Sequence, residues 1–513
     1  MIAKRSFLNV SIGLLSQLVT IALSFFIPRL IMLNYGSEAN GLVASITQII
    51  AYLSLLEAGV GAASIQALYR PIGQNDRSKI NDILAATSIY YKKTGLYYFA
   101  AVVLIAVVYP FVIESGFDAL TVMAVVALSG LGGAVNYYFQ GKFRVLLLAE
   151  GKSYIESSVG TIANIVNSLV RIVLLLQGFN IIAVQAVYFI VILLQIVFYR
   201  FYIRKYYSWI DLNRKPDYGA ISQKNSALIH ELSYLIFRNT DILVLTVFTN
   251  LKIVSIYVLY NMVFNFVDNL VHMVTGSFKF ALGQSYFDNR EKFMKMYNMY
   301  ETYYTGFIFA VISVVTIMIL PFMHLYTAGI KDNNYIDVLL PLLFATAKLL
   351  MNARAPVDNV IEIAGHFRST QGRSILESVI NLVCSIGFVL LFGIYGVLLG
   401  TIAALLYRST DMIIYANRRL MERSPWLTFK KWGANIAVFV FIYLVVESVS
   451  IPIHSYLSFV MWGIMLSALI FPIYFTVNSL FEKDGFALLP GLAKKITSRF
   501  GIGKKPAAQG GSQ

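Results

Sequence analysis

Residues 94–113 read TGLYYFAAVVLIAVVYPFVI, and residues 305–324 read TGFIFAVISVVTIMILPFMH. Each stretch opens on Thr-Gly, runs through an apolar segment of membrane length and closes on Pro-Phe. Thr94-Gly95 and Pro110-Phe111 in the first answer to Thr305-Gly306 and Pro321-Phe322 in the second. Further landmarks keep the same order at nearly the same offset. Gly151 with Asn167 matches Gly365 with Asn381, and Gly178 matches Gly393. Preserved order over this length indicates an internal duplication. A duplicated bundle of membrane helices is a common transporter plan, with the substrate path between the halves.

Composition agrees. Hydrophobic residues make up 58% of the 513 residues and charged residues 13%, about half the charged share of a soluble protein. The mean hydropathy is +0.70. Apolar runs of membrane length recur near 8–33, 41–69, 94–113, 119–141, 155–177, 181–203, 226–249, 254–278, 305–326, 337–363, 375–392, 397–417, 433–450 and 457–478. A helix needs about 20 such residues to cross roughly 30 Å of hydrocarbon. The runs are continuous and lack the short alternating segments of a membrane barrel. Helices satisfy their own backbone polar groups, as hydrocarbon demands. The expectation is an all-α polytopic membrane protein of about fourteen transmembrane helices: two six-helix repeats plus two C-terminal helices. Residues 1–205 form an N-terminal six-helix lobe, 206–225 a cytoplasmic linker and 226–420 a C-terminal six-helix lobe. Residues 421–480 hold the two additional helices and 481–513 a cytoplasmic tail, its end rich in Gly, Ala, Gln and Ser.

The net charge of +15 follows alternate loops. Lys and Arg gather at 70–93, 142–152, 200–224, 279–295, 418–431 and 483–505, whereas the intervening loops hold only Lys252 and Lys331. By the positive-inside rule both termini are cytoplasmic. The charges read as topology and lipid-headgroup signals, and no nucleic-acid partner is expected. Lys4 and Arg5 precede a stretch too long for the apolar region of a signal peptide, so the first span is expected to stay in the protein.

Catalytic signatures are missing. There is no GK[ST] phosphate loop, no HExxH and no Cys/His cluster, and Cys384 is the single cysteine. The outward loops are short. No cofactor, no metal and no enzyme activity is expected.

The informative residues are polar ones inside spans. Arg29, Arg171, Arg238, Lys348, Arg354 and Arg408 are basic; Glu57, Asp241, Asp268, Asp358, Glu362 and Asp411 are acidic. A charge at membrane depth costs several kcal/mol (about 3 on insertion scales) unless it faces a partner or a cavity. Some have local explanations. Arg29 and Arg171 lie near outward ends, where long side chains reach the interface. Arg354, Asp358 and Glu362 are spaced for i, i+4 pairing, and Arg238 with Asp241 and Arg408 with Asp411 are each i, i+3. Polar stripes are harder to dismiss. Asn261, Asn265, Asp268 and His272 share one face of the eighth span, and Asn9, Gly13, Gln17, Thr20 and Ser24 one face of the first. Lys348, Asn352 and Asn359 line the tenth, with Pro356 positioned to kink it; Ser45, Gln48 and Tyr52 mark the second.

The chain resembles a known family at several places. Residues 28–69, PRLIMLNYGSEANGLVASITQIIAYLSLLEAGVGAASIQALY, are followed by the basic RPIGQNDRSKINDIL. That arrangement is similar to the opening of the polysaccharide transporters, the Wzx-like lipid-linked oligosaccharide flippases. Their superfamily also holds the multidrug and toxin extruders and the lipid II flippases. FRNTDILVL at 237–245 resembles the seventh span of such proteins, and FRVLLLAEGKSYIESS at 143–158 and EIAGHFRS at 362–369 are in keeping. A full basic set diagnostic of lipid II flippases is not matched.

The resemblance implies a flippase in a bacterial inner (plasma) membrane. It would carry an undecaprenyl-pyrophosphate-linked oligosaccharide, such as an O-antigen or capsular repeat unit, to the outer leaflet by alternating access. Arg29, Arg238, Lys348, Arg354 and Arg408 would meet the pyrophosphate, since Arg offers paired donors and stays charged. Gln17, Asn261 and Asn265 would face the glycan. Coupling to a proton or sodium ion would use Asp268, Glu57 or Asp241. Membrane lipids, and a polysaccharide polymerase or chain-length regulator, are the other implied partners. The alternatives are a multidrug cation antiporter, a lipid II flippase, a membrane polysaccharide polymerase and a scaffold. An antiporter for cations would prefer an acidic cavity, and a polymerase a sizeable outward loop.

Overall fold

The computed structural model describes residues 19–20, 23–57, 60–221, 240–449 and 452–482. Within them the chain is helical, with no strand. The principal helices are α1 (Phe26–Tyr35), α2 (Ser37–Leu53), α3 (Val60–Gly73), α4 (Arg77–Val112), α5 (Ala119–Phe139), α6 (Gly141–Ala149), α7 (Ser153–Leu176) and α8 (Ile181–Tyr206). They continue with α9 (Leu251–Asp288), α10 (Arg290–Tyr326), α11 (Leu339–Ala353), α12 (Ala355–Ile363), α13 (Phe367–Phe392), α14 (Ile394–Tyr415), α15 (Trp426–Glu447) and α16 (Tyr456–Ser479). Residues 240–248 are also helical.

Eleven helices among the described residues are long and apolar enough to cross a membrane, and the protein is multi-pass. The three other expected spans have separate explanations. Half of the first, and the seventh up to residue 239, lie outside the described residues. The tenth is divided: α11 ends at Ala353, and Pro356 stands in the first turn of α12. Proline there lacks the N–H that would continue the helix. The second expected span, 41–69, is also divided. A short turn, Ser54–Leu56, follows α2, and α3 begins at Val60.

The duplication reappears as geometry. Helix starts pair at offsets of 213 or 214 residues: Ser37 with Leu251, Arg77 with Arg290, Ser153 with Phe367 and Ile181 with Ile394. The long helices α4 and α10 have 36 and 37 residues, and each carries its proline near the end, Pro110 and Pro321. At 1.5 Å per residue both exceed roughly 50 Å, more than hydrocarbon needs. Their polar beginnings therefore project beyond it. The glycine landmarks match in conformation too. Gly151 and Gly365 have φ of 69° and 72°, and Gly178 and Gly393 have 74° and 55°. This left-handed region favours glycine at a helix end.

Two compact units are distinguished. The first takes described residues from Met1–Met262, Tyr326–Ile336 and Ser374–Ala404; the second takes them from Val263–Leu325, Asp337–Arg373 and Leu405–Gln513. The first has one apolar cluster around Leu68, Ile83, Leu84, Leu146, Leu147 and Tyr199, and another around Ile31, Leu42, Ile46, Tyr109, Val125 and Leu175. The described part of the expected 206–225 linker folds back on α4. Asn81 Nδ2 donates to the Trp209 carbonyl at 3.3 Å, and Lys79 pairs with Asp217 at 2.9 Å. The hydrogen bond from Lys79, with help from the Ala220 N–H, holds the Asp217 carboxyl below the usual range.

Candidate functional site

In the second unit, α9 and α11 meet through a buried polar knot. The stripe expected on the eighth span falls on α9. Asp268, 5% exposed, accepts from Lys348 Nζ at 2.6 Å and from Asn352 Nδ2 at 2.8 Å. Lys348 also donates to Asn265 Oδ1 at 3.1 Å. The two stripes on 261–268 and 348–352 thus face each other, and the ion pair offsets part of the cost of burying either charge. The network extends along α10: Tyr304 donates to the Asn352 carbonyl at 3.2 Å, and Asn359 donates to the Tyr300 hydroxyl at 3.1 Å. Lys279 bonds Glu362 on α12. Asn261 is half-buried one turn before Asn265.

Arg408 lies 5% exposed on α14. It donates to Asp411 at 3.1 Å, the i, i+3 pair expected from spacing. Arg373 reaches the other oxygen of the same carboxylate at 2.7 Å, so two guanidinium groups share one acid. Arg354 caps the break between α11 and α12.

The first unit has its own buried carboxylates. Asp241 is 8% exposed and accepts from Tyr257 at 2.7 Å and from Thr401 Oγ1 at 3.0 Å. Thr401 in turn accepts from Asn381 Nδ2 at 2.9 Å, while Asn381 Oδ1 is buried with no hydrogen-bond partner. This is an oxygen-rich set from residues 240–248, α9, α13 and α14. Beside it Tyr52 and Thr240 are 3.2 Å apart. Glu57 lies in the turn after α2 and accepts from Tyr91 on α4. Arg29 on α1 stands over the Tyr326 ring, 5.9 Å from its centroid.

The same unit contains a lock joining α2, the start of α9 and residues 326–336. Asp332 accepts from the Ser37 N–H and Oγ, both at 2.8 Å. It caps the first turn of α2 from a distant loop, satisfying groups a helix start leaves open. Tyr335 donates to Ser37 Oγ at 2.6 Å, and its hydroxyl lies 2.9 Å from Ser255 Oγ, which accepts from Asn40 at 2.8 Å. A Cβ on Gly41 would come within 1.8 Å of the Leu251 carbonyl oxygen, so only glycine permits this approach.

Of the expected site residues, the structure brings Asp268, Lys348 and Asn265 together, and places Asp241, Glu57, Arg29, Arg354 and Arg408 in other settings. Gln17 and Arg238 lie outside the described residues. One cluster escaped sequence reasoning. Glu301 on α10, 2% exposed, takes Arg423 at 2.7 Å, Lys431 at 2.7 Å and Thr428 at 2.6 Å. Glu301 precedes the apolar run at 305–326 and is not among the acidic residues expected inside spans. The available signal was an isolated acid in YETYYTG, residues 300–306, with a surplus of basic residues at 418–431.

No family model matches the chain, and no curated protein matches it. Solved structures do. A structure described as the lipid II flippase MurJ in an inward closed conformation superposes with a TM-score of 0.66 at 14% identity, covering 92% of this chain and 99% of that one. An inward-facing multidrug resistance MATE family transporter of the MOP superfamily gives 0.62 at 15% identity, covering 81% of this chain and 98% of that one. An outward-facing MATE transporter gives 0.51 at 15% identity, covering 82% and 94%. These neighbours are transporters, and the chain shares their fold.

Proposed function

We propose that the protein is a flippase that moves an undecaprenyl-pyrophosphate-linked oligosaccharide from the cytoplasmic to the outer leaflet of a bacterial inner membrane by ion-coupled alternating access. The observation that carries this reading is the extent of the fold. The lipid II flippase structure covers 92% of the chain and the inward-facing MATE structure 81%. The difference, about a tenth of the chain, is close to the length of α15 with α16. The cationic groups of the second unit supply the chemistry, because a pyrophosphate crosses hydrocarbon only when its charge is met.

The Lys348–Asp268 pair suggests how charge is kept balanced. An arriving phosphoryl group competes for the Lys348 ammonium. Asp268 then keeps the Asn352 amide and loses its cation. The oxygen-rich set at Asp241 is the second coupling candidate, suited to a hard cation such as sodium by its carboxylate, hydroxyl and amide oxygens. Glu57 is a third. Asn261, Asn265 and the tyrosines of α10 offer neutral hydrogen bonds to sugar hydroxyls. The repeats at 1–205 and 226–420 would act as the two alternating lobes.

The test is reconstitution. Purified protein in liposomes should move a fluorescent lipid-linked oligosaccharide between leaflets, faster under an imposed proton or sodium gradient. Efflux of organic cations with no lipid movement would instead support a multidrug antiporter and overturn the flippase reading.

A further inference from the structure

Helix α7 is polar along one side for its whole length. Ser157, Gly160, Asn164, Asn167 and Arg171 recur at i, i+3, i+7, i+10 and i+14, a stripe of about 21 Å. The opposite side carries Ile162, Leu169, Val173 and Leu176, exposed by 50–70% as a lipid-facing surface requires. Among the described residues of the first unit, neighbours flank the stripe on both sides. Ala163 packs on Val187 and Val191 of α8, and Leu175 packs in the cluster holding Ile31 of α1. Between these contacts Asn164 is exposed, and a Cβ built on Gly160 would meet nothing within 4 Å. The stripe therefore runs between the contacts that α7 makes with α1 and with α8, with open space at Gly160 and Asn164.

At its end the polar atoms are unsatisfied. Arg171 Nε and Asn167 Oδ1 are both buried with no hydrogen-bond partner. Among the described residues Arg171 has no carboxylate within ion-pairing distance, unlike Lys348, Arg373, Arg408, Arg423 and Lys431. Its neighbour is the Tyr35 phenol, whose hydroxyl already donates to the Phe179 carbonyl. A buried guanidinium with an unpartnered Nε, one turn from an unpartnered amide at the end of a polar stripe, has the chemistry to take an oxyanion.

We propose that Arg171 and Asn167 form an oxyanion station in the first unit that receives the phosphoryl group of a polyprenyl-linked lipid. The lipid source is favoured because the stripe runs along a membrane span whose other face is apolar and exposed. The station rests on the flippase reading for its substrate, and on α7 alone for its geometry.

The experiment uses the full chain in nanodiscs of phosphatidylcholine, titrated with short-chain polyprenyl pyrophosphate and, separately, with inorganic pyrophosphate. Arg171→Gln should weaken binding of the lipid about tenfold, and Arg171→Lys should restore part of it. Asn167→Asp places a carboxylate one turn from the guanidinium and should lower affinity as Arg171→Gln does, without removing the arginine. Thermal unfolding of each variant separates lost binding from lost folding. Competition by inorganic pyrophosphate would place recognition on the oxyanion itself; competition by the lipid alone would place it on the headgroup with its tail, and either supports the station. Unchanged affinity in both folded Arg171→Gln and Asn167→Asp overturns it. The flippase reading stands or falls separately, on movement of lipid by the unmodified chain in liposomes.

Discussion

At the scale of the residue, the Asp268–Lys348 pair makes a sharp prediction. Lys348→Met leaves a buried carboxylate without its cation and should cost about 3–5 kcal/mol of stability. The double variant Lys348→Met with Asp268→Leu removes both charges and should recover most of that loss, because a buried ion pair replaced by apolar groups is often neutral. Transport should stay lost in both. Thermal unfolding of the two variants in detergent, beside the flipping assay, checks this; a double variant that transports would take the pair out of the mechanism. The residues themselves were legible as polar positions at helical spacing. Their partnership was not. The two lie 80 residues apart in the chain, and periodicity reports a shared face without saying what faces it. Glu301 was hidden for the same reason, with its cations 122 and 130 residues away. Arg171 looked like an interface anchor, and only the packing on either side of α7 shows its Nε buried rather than extended into water.

At the scale of the element, much of the fold could be read beforehand. Apolar length, Pro-Phe endings and glycine landmarks placed the repeat, and the helix starts agree to within a residue in offset. The breaks were less visible. Ser54–Leu56 is apolar enough to pass as continuous helix, and a hydropathy run cannot reveal a turn inside it. The docking of 207–221 on α4 was equally hidden, since Trp209 and Asp217 sit in a polar basic stretch that reads as linker. The Asp332 lock shows how far an element's stability can depend on a distant loop. Removing a helix cap costs about 0.5–2 kcal/mol, and here the cap also ties residues 326–336 to α2. Asp332→Ala should therefore raise the maleimide reactivity of a cysteine placed at Ser45, in a Cys384→Ala background, several-fold in purified protein. Ser45 is fully buried in the locked arrangement. Unchanged reactivity would reduce Asp332 to a local cap.

At the scale of the whole molecule, the alternation of basic loops fixes an expected orientation. A cysteine at Lys331 should label with an impermeant maleimide in intact cells, and one at Arg200 only after permeabilisation. The reverse pattern would invert the topology and the proposed direction of transport. Another consequence concerns synthesis rather than transport. Glu301 finds both its cations in residues 423–431, more than 120 positions later in the chain. At roughly 5–20 residues per second a ribosome needs about 6–25 s to supply them. Through that interval the ninth span is already made while its acid lacks the two groups that finally enclose it. Water or headgroups at the membrane surface must hold the charge meanwhile. Residues 423–431, at the start of α15, thus complete the burial of an acid on an earlier helix, and release of the chain before Arg423 would leave the bundle with an unmet acid at its edge.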